Sequence, residues 1–357
     1  MGIYITNDVE QECKNIICMY TDTKFLKDKI LNAYGNLSNS KQRSVSNKIK
    51  SHIDQAMSFL NDTDDNILTA PLSLFYAINN FSKAIYLISY PNFSLAGMHG
   101  LDFDTEIAKK AKEIGEIKCK ITSNGTFINL LAVTGDLMEQ GDEIRLIDIF
   151  SIIPELREIY FTRYRIEPNI YLLNRQKNCN YEYKVIFQNK KINDIELRDF
   201  SLLTSNNYCI TFCVNSCYVT KNANHQEANT NATIYNDIYG NYYLTSGIKV
   251  NEKLMKVSKM ASLYLCYYSF SMLVRYYPEK WAEFCQSSDV AIIRKLIVSC
   301  KREMLVEVLQ LLEHDQYCFT TKLDEFENRL DSKTIYEMVK DEMKSEYRRT
   351  GRNSLLI

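Results

Sequence analysis

Two largely uncharged helical stretches each carry a few polar residues whose types suit anion binding. In the first, Pro71-Leu-Ser-Leu-Phe-Tyr-Ala-Ile-Asn-Asn-Phe-Ser-Lys83-Ala-Ile-Tyr86, residues Tyr76, Asn79 and Lys83 fall at i, i+3 and i+7 and share one helix face. His99 follows in the loop Gly97-Met-His-Gly-Leu101, and Arg275 closes the second stretch, Leu263 to Trp281. A guanidinium meets phosphate as a planar fork and an ammonium as a point charge. Tyr76, Asn79, Lys83, His99 and Arg275 are therefore the candidate anion- or nucleotide-binding residues, with a nucleotide or a nucleic-acid end as ligand. The same residues also suit a buried polar network that fixes how two core helices meet, because polar groups on apolar helices need partners. Lys83 could alternatively extend its ammonium to water along its apolar stem.

Other chemistry is thinner. Cys209, Cys213 and Cys217 at four-residue spacing, with His225 after them, read as one strand rather than the paired tight turns that present thiols to zinc. Asp102 and Asp104 beside His99 read as a solvated acidic loop. None of the histidines His52, His99, His225 and His314 has the preceding arginine of an HEPN-type ribonuclease. Phosphate-binding glycine loops, nucleophile elbows and zinc-protease motifs are absent from the sequence. Tyr239, Tyr242 and Tyr243 could stack on bases, and the Arg348-Arg349-x-x-Arg352 tail could touch a phosphate backbone. Core packing and a solvated tail explain both equally well. No cofactor and no metal site is expected, and no catalytic residue is assigned.

The elements that position these residues are mainly helical. Periodicity predicts one helix over 8–34 ended by Gly35, a polar link over 36–46, and a helix over 47–60. A helix runs from an N-cap at Thr69 to the stop at Pro91. Alternation over 121–131 reads as a hairpin turning at Asn124-Gly125, and 146–160 as a helix. Tyr-, Ile- and Val-rich runs at 170–173, 181–187, 208–214 and 242–245 are strands, and 221–233 is a polar loop. Helices resume from Glu252 to Tyr277, near Trp281, after Ser288-Asp289, and over 324–346. The expected fold class is α+β, predominantly helical: a helical bundle from the N- and C-terminal segments around a central β-rich segment. The expected division is 1–158, 159–250 and 251–357, with the last region packing on the first.

The order of the Pro71–Asn80 helix, His99-Gly100, Asn124-Gly125, Ile153-Pro-Glu-Leu156 and Ser271-Met-Leu-Val-Arg275-Tyr-Tyr-Pro278-x-x-Trp281 resembles the YaaC-like proteins of bacteria, over roughly residues 40–315. That resemblance implies a bacterial cytosolic protein and a shared fold, not a reaction. By analogy with other bacterial families of this kind, it points to an antiphage defence or stress system.

The chain of 357 residues has a net charge of -1, so whole-molecule steering toward nucleic acid or an anionic membrane is not implied. Its 11 cysteines are odd in number and scattered, several within apolar runs, as buried reduced thiols are. With no apolar leader and no membrane-length run, the expected location is the cytoplasm. Two functional classes follow. One is a non-catalytic binding or assembly subunit with a protein partner or a second copy of itself, consistent with 25 tyrosines and 11 methionines. The other is an effector or sensor acting on a nucleotide or nucleic acid through Lys83, His99 and Arg275.

Overall fold

The two apolar helices of the sequence pack directly on each other. The computed structural model describes residues 2–34, 37–63, 66–95, 97–175, 182–186, 208–213, 216–221, 234–238, 241–245, 247–251, 253–314 and 317–320. Strand β1 (Gly2–Ile5) leads to α1 (Val9–Cys18), a 3-10 turn at Met19–Thr21, and α2 (Thr23–Tyr34). The single helix predicted over 8–34 is thus two. Asp22 accepts from the amides of Lys24 (2.6 Å) and Phe25 (3.2 Å) and starts the chain afresh.

Helix α3 (Asn39–Asn61) takes in most of the predicted link, because Ser38 caps it and Gln42 and Val45 continue its buried face. Helix α4 (Ala70–Ser89) follows with Pro71 in its first turn, although the Thr69 side chain makes no capping bond.

Next come β2 (Leu101–Phe103), α5 (Thr105–Lys110), β3 (Lys118–Ile121), α6 (Thr126–Thr134) and β4 (Glu143–Arg145). The strands form an antiparallel sheet in the order β2-β3-β4. No hairpin turns at Asn124-Gly125. Phe127, Leu130 and Leu131 are buried at helical spacing, so the segment after Gly125 is helix. The helix predicted over 146–160 is α7 (Leu146–Phe150), a 3-10 turn at Pro154–Leu156, and α8 (Arg157–Tyr164), because Pro154 has no N–H to continue α7.

Strands β5 (Ile170–Arg175), β6 (Glu182–Ile186), β7 (Tyr208–Cys213), β8 (Ser216–Lys221), β9 (Ile234–Asn236) and β10 (Tyr242–Thr245) build an antiparallel sheet ordered β7-β8-β6-β5-β10-β9. Cys217 lies on β8, paired with Phe212 of β7, so the three cysteines do not share one strand. A short hairpin, β11 (Ile248–Val250) and β12 (Lys253–Met255), occupies the start of the helix predicted from Glu252. Helix α9 (Lys259–Tyr276) instead begins after Ser258, whose hydroxyl accepts from the Ala261 amide. Helices α10 (Pro278–Gln286) and α11 (Val290–Arg294), a π-helical turn at Lys295–Ser299, α12 (Cys300–Glu313) and β13 (Tyr317–Thr320) complete the described chain. Strand β13 lies parallel to β1. The predicted loop over 222–233, helix 324–346 and the basic tail lie outside the described residues.

Helix α4 packs against α3, α6, α9 and α12, so helices from both ends of the sequence share one core. The Tyr267 hydroxyl donates to the Leu296 carbonyl (3.0 Å), a partner for one carbonyl of the π turn. The fold is α+β and predominantly helical. Among the described residues, no helix is long and apolar enough to cross a membrane.

Candidate functional site

Helix α4 meets α3 on one side and α9 on the other, and this crossing assembles a group of basic side chains. Arg275, in the last turn of α9, places its Nη1 3.4 Å from the Tyr76 hydroxyl. It is held by its own helix through the Ser271 carbonyl (3.2 Å) and hydroxyl (3.3 Å). Its guanidinium lies 5.9 Å from the ring centres of Phe75 and Tyr76 and 5.3 Å from that of Tyr276. The His99 ring packs edge-on to Phe75 at 5.1 Å. Tyr76, Lys83, His99 and Arg275 are all half-buried.

The electrostatics are one-sided. Burial pushes the His99 imidazole below its ordinary range, and Arg275 and then Lys83 push it further. Burial alone lowers the Lys83 ammonium. His52, on α3, is lowered by burial, while its hydrogen bond to Asn80 opposes the shift and Lys83 and Lys48 add to it. His52 Nδ1 lies 3.0 Å from Asn80 Oδ1, and the Asn80 amide donates back to the Tyr76 carbonyl (2.9 Å). Lys83 is therefore within electrostatic reach of both histidines, and His99 of both fixed cations. Among the described residues, no carboxylate pairs with Lys83 or Arg275, and neither the Lys83 ammonium nor the His99 ring has a hydrogen-bond partner.

Asn79 plays a different part from its neighbours on α4. It is buried, and its side-chain oxygen accepts from the Tyr264 hydroxyl (2.9 Å), which ties α4 to α9 beneath the basic group. Burial holds that hydroxyl protonated. Tyr264→Phe is expected to cost about 1–3 kcal/mol, because it leaves the Asn79 oxygen buried without a donor. Urea unfolding at unchanged slope measures the loss.

The position of His99 is fixed by two glycines. Its carbonyl accepts from the Phe127 amide (2.8 Å) and the Met98 carbonyl from the Thr126 amide (2.9 Å), so the first amides of α6 hold the loop. Gly100 has φ +88° and Gly125 φ +141°, both outside the region that L side chains favour. A Cβ on Gly125 would stand 2.1 Å from the Gly100 nitrogen.

The sequence reading missed His52, and it also missed a buried ionic group around Lys259. That ammonium, at the start of α9, is 3% exposed. It bonds Glu303 directly and lies 3.1 Å from Glu155 and 3.8 Å from Glu307. The geometry gives Glu155 the ion pair but no aligned hydrogen bond. Three carboxylates around one ammonium cannot all ionise at low cost. Burial and Glu155 push the Glu303 carboxyl up to about 8, while the three carboxylates keep Lys259 charged against its burial. Among the described residues, no group of three His, Cys, Asp or Glu side chains is arranged to hold a metal ion. The i, i+4 spacing of Glu303 and Glu307 was the available signal, since both fall between the buried positions Met304 and Val308.

Asp102 and Asp104 are accounted for locally. Asp104 caps α5 by accepting from the amides of Glu106 and Ile107. Asp102 faces Lys120 across β2 and β3. They line a cleft of about 170 Å³ with Lys118, Lys120 and Glu143, but there the lysines lie 3.8 and 4.0 Å from Glu143. That cleft is charge-balanced; the group at Lys83 and Arg275 is not.

Fold and site together define a helix-dominated α+β protein with an uncompensated basic group where its central helices cross. The family described as YaaC-like Protein matches residues 19–312, and the chain belongs to that family. The match starts further toward the N-terminus than the resemblance over 40–315, and so takes in α2. No curated protein and no solved structure matches the chain.

Proposed function

We propose that this chain is a cytoplasmic, non-catalytic binding subunit whose ligand is a nucleotide or nucleic-acid anion held at Lys83, His99 and Arg275. The observation that carries the reading is the pair of fixed cations, Lys83 and Arg275, brought together from α4 and α9 with no carboxylate between them among the described residues. Uncompensated, partly desolvated cations are costly, and an anionic ligand relieves that cost. A buried structural network, by contrast, brings its own counter-charges, as Lys259 does.

Calorimetric titration of the purified protein with pyrophosphate and with a mixed-sequence RNA decamer tests this. Arg275→Gln and Lys83→Gln are each expected to weaken binding at least tenfold with the fold intact. Unchanged affinity in folded variants, or no binding by the wild type, overturns it.

A second reading, an assembly subunit, is supported by the exposed apolar side chains Tyr90, Phe93 and Leu137; Phe93 is 62% and Leu137 75% exposed. Tyr90 packs on Phe93 and donates to the Ala132 carbonyl near Leu137, so the three adjoin. Native mass spectrometry that finds only monomer without a partner removes that reading. An antiphage or stress system is the proposed setting for either role.

A further inference from the structure

The basic group at the α4–α9 crossing holds more charge than one backbone phosphate answers. Lys83 and Arg275 contribute two fixed positive charges, and His52 and His99 adjoin Lys83. A phosphodiester carries one negative charge and two free oxygens. A phosphate monoester carries about 1.5 to 2 negative charges near pH 7 and three terminal oxygens. Three separate elements present the donors: α4 with Lys83, the loop with His99, and α9 with Arg275.

Resting on the anion-binding reading above, we propose that the ligand group is a phosphate monoester, the terminal phosphate of a nucleotide or of a nucleic-acid end, with one terminal oxygen for each of Lys83, His99 and Arg275. The surroundings agree with an end rather than a passing backbone. A protein that tracks a strand lines the path with further cations. Here the exposed side chains adjoining His99 and Arg275 are Met98 and Tyr276, at 57% and 60% exposure. The Tyr276 ring, 5.3 Å from the Arg275 guanidinium, offers a surface for a base beside the phosphate. His52 is a positioning residue: Asn80 fixes its ring, and its charge acts on Lys83.

The test compares one mixed-sequence RNA decamer in three forms by calorimetric titration of the full chain: 5′-phosphorylated, 3′-phosphorylated, and hydroxyl at both ends. Adenosine 5′-monophosphate and inorganic phosphate are titrated alongside. At least tenfold tighter binding of a phosphorylated end, or of the mononucleotide, than of the all-hydroxyl decamer is expected, and this preference is lost in Arg275→Gln. Lys83→Gln, at a position with no hydrogen bond to lose, is the second variant if Arg275→Gln does not fold. Tight binding by inorganic phosphate alone assigns the monoester-type oxygens to free phosphate. Equal binding of all three decamers, lost in Arg275→Gln, overturns the monoester assignment and leaves the anion site standing. No binding of any of these anions overturns both.

Discussion

Gly125→Ala is expected to lower stability by about 3 kcal/mol or more and to abolish binding at His99. The residue has φ +141°, and its added methyl would meet the Gly100 nitrogen at 2.1 Å, the Gly100 Cα at 2.4 Å and the His99 carbonyl carbon at 2.7 Å. All three are backbone atoms, so no side chain can rotate away. Relief requires the 98–100 loop to leave the amides of Thr126 and Phe127, which frees two donors at the start of α6. Gly97→Ala is the internal control, because nothing lies within 4 Å of its Cβ and its φ is unremarkable. That change should stay within about 0.5 kcal/mol of wild type. Urea unfolding separates the two, and equal midpoints for Gly125→Ala and wild type would show that the two loops do not touch.

Lys259→Met is expected to cost about 3–5 kcal/mol at pH 8, because it leaves Glu155, Glu303 and Glu307 buried without their cation. The loss should shrink toward pH 5. In the folded wild type the Glu303 carboxyl is raised from 4.5 to about 8, so the folded state binds its proton more tightly than the unfolded chain does. Its contribution is therefore greatest at low pH and declines as pH rises from about 4.5 to about 8. Removing Lys259 raises all three carboxyls further and steepens that decline. Glu303→Gln, which keeps the shape and a donor, should flatten it. Unfolding free energies at pH 5, 6.5 and 8 decide the matter; a pH-independent loss in Lys259→Met would mean that the carboxylates reach water.

Helix α4 was legible in the sequence because its apolar run, Pro71 and Pro91 all point to the same segment. The strands at 170, 208 and 242 were legible through β-branched and aromatic runs. The break at Asp22 was not, because apolar spacing continues across it and only the carboxylate's reach to two amides reveals a new helix start. Segment 126–134 misled because its alternation competes with helical spacing, and burial of Phe127 and Leu130 decides between them. In the site, Tyr76, Lys83, His99 and Arg275 could be nominated as polar residues on or beside apolar helices. His52 could not, since it belongs to a mixed-polarity helix and joins the group only through Asn80. Lys259 and its carboxylates come from four positions, 155, 259, 303 and 307, and no local pattern joins the first two to the others.

The crossing of α4 and α9 also constrains how the protein is made. About 170 residues separate the end of α4 from the start of α9, and a ribosome adding roughly 5–20 residues per second takes on the order of ten to thirty seconds to bridge them. Through that interval the α9-facing side of α4, with Phe75 and Ile78, is already synthesised while its cover is not. The nascent chain thus spends its most aggregation-prone phase waiting for its own C-terminal third. Its yield in a cell depends on holdase chaperones and translation speed as much as on the stability of the finished fold.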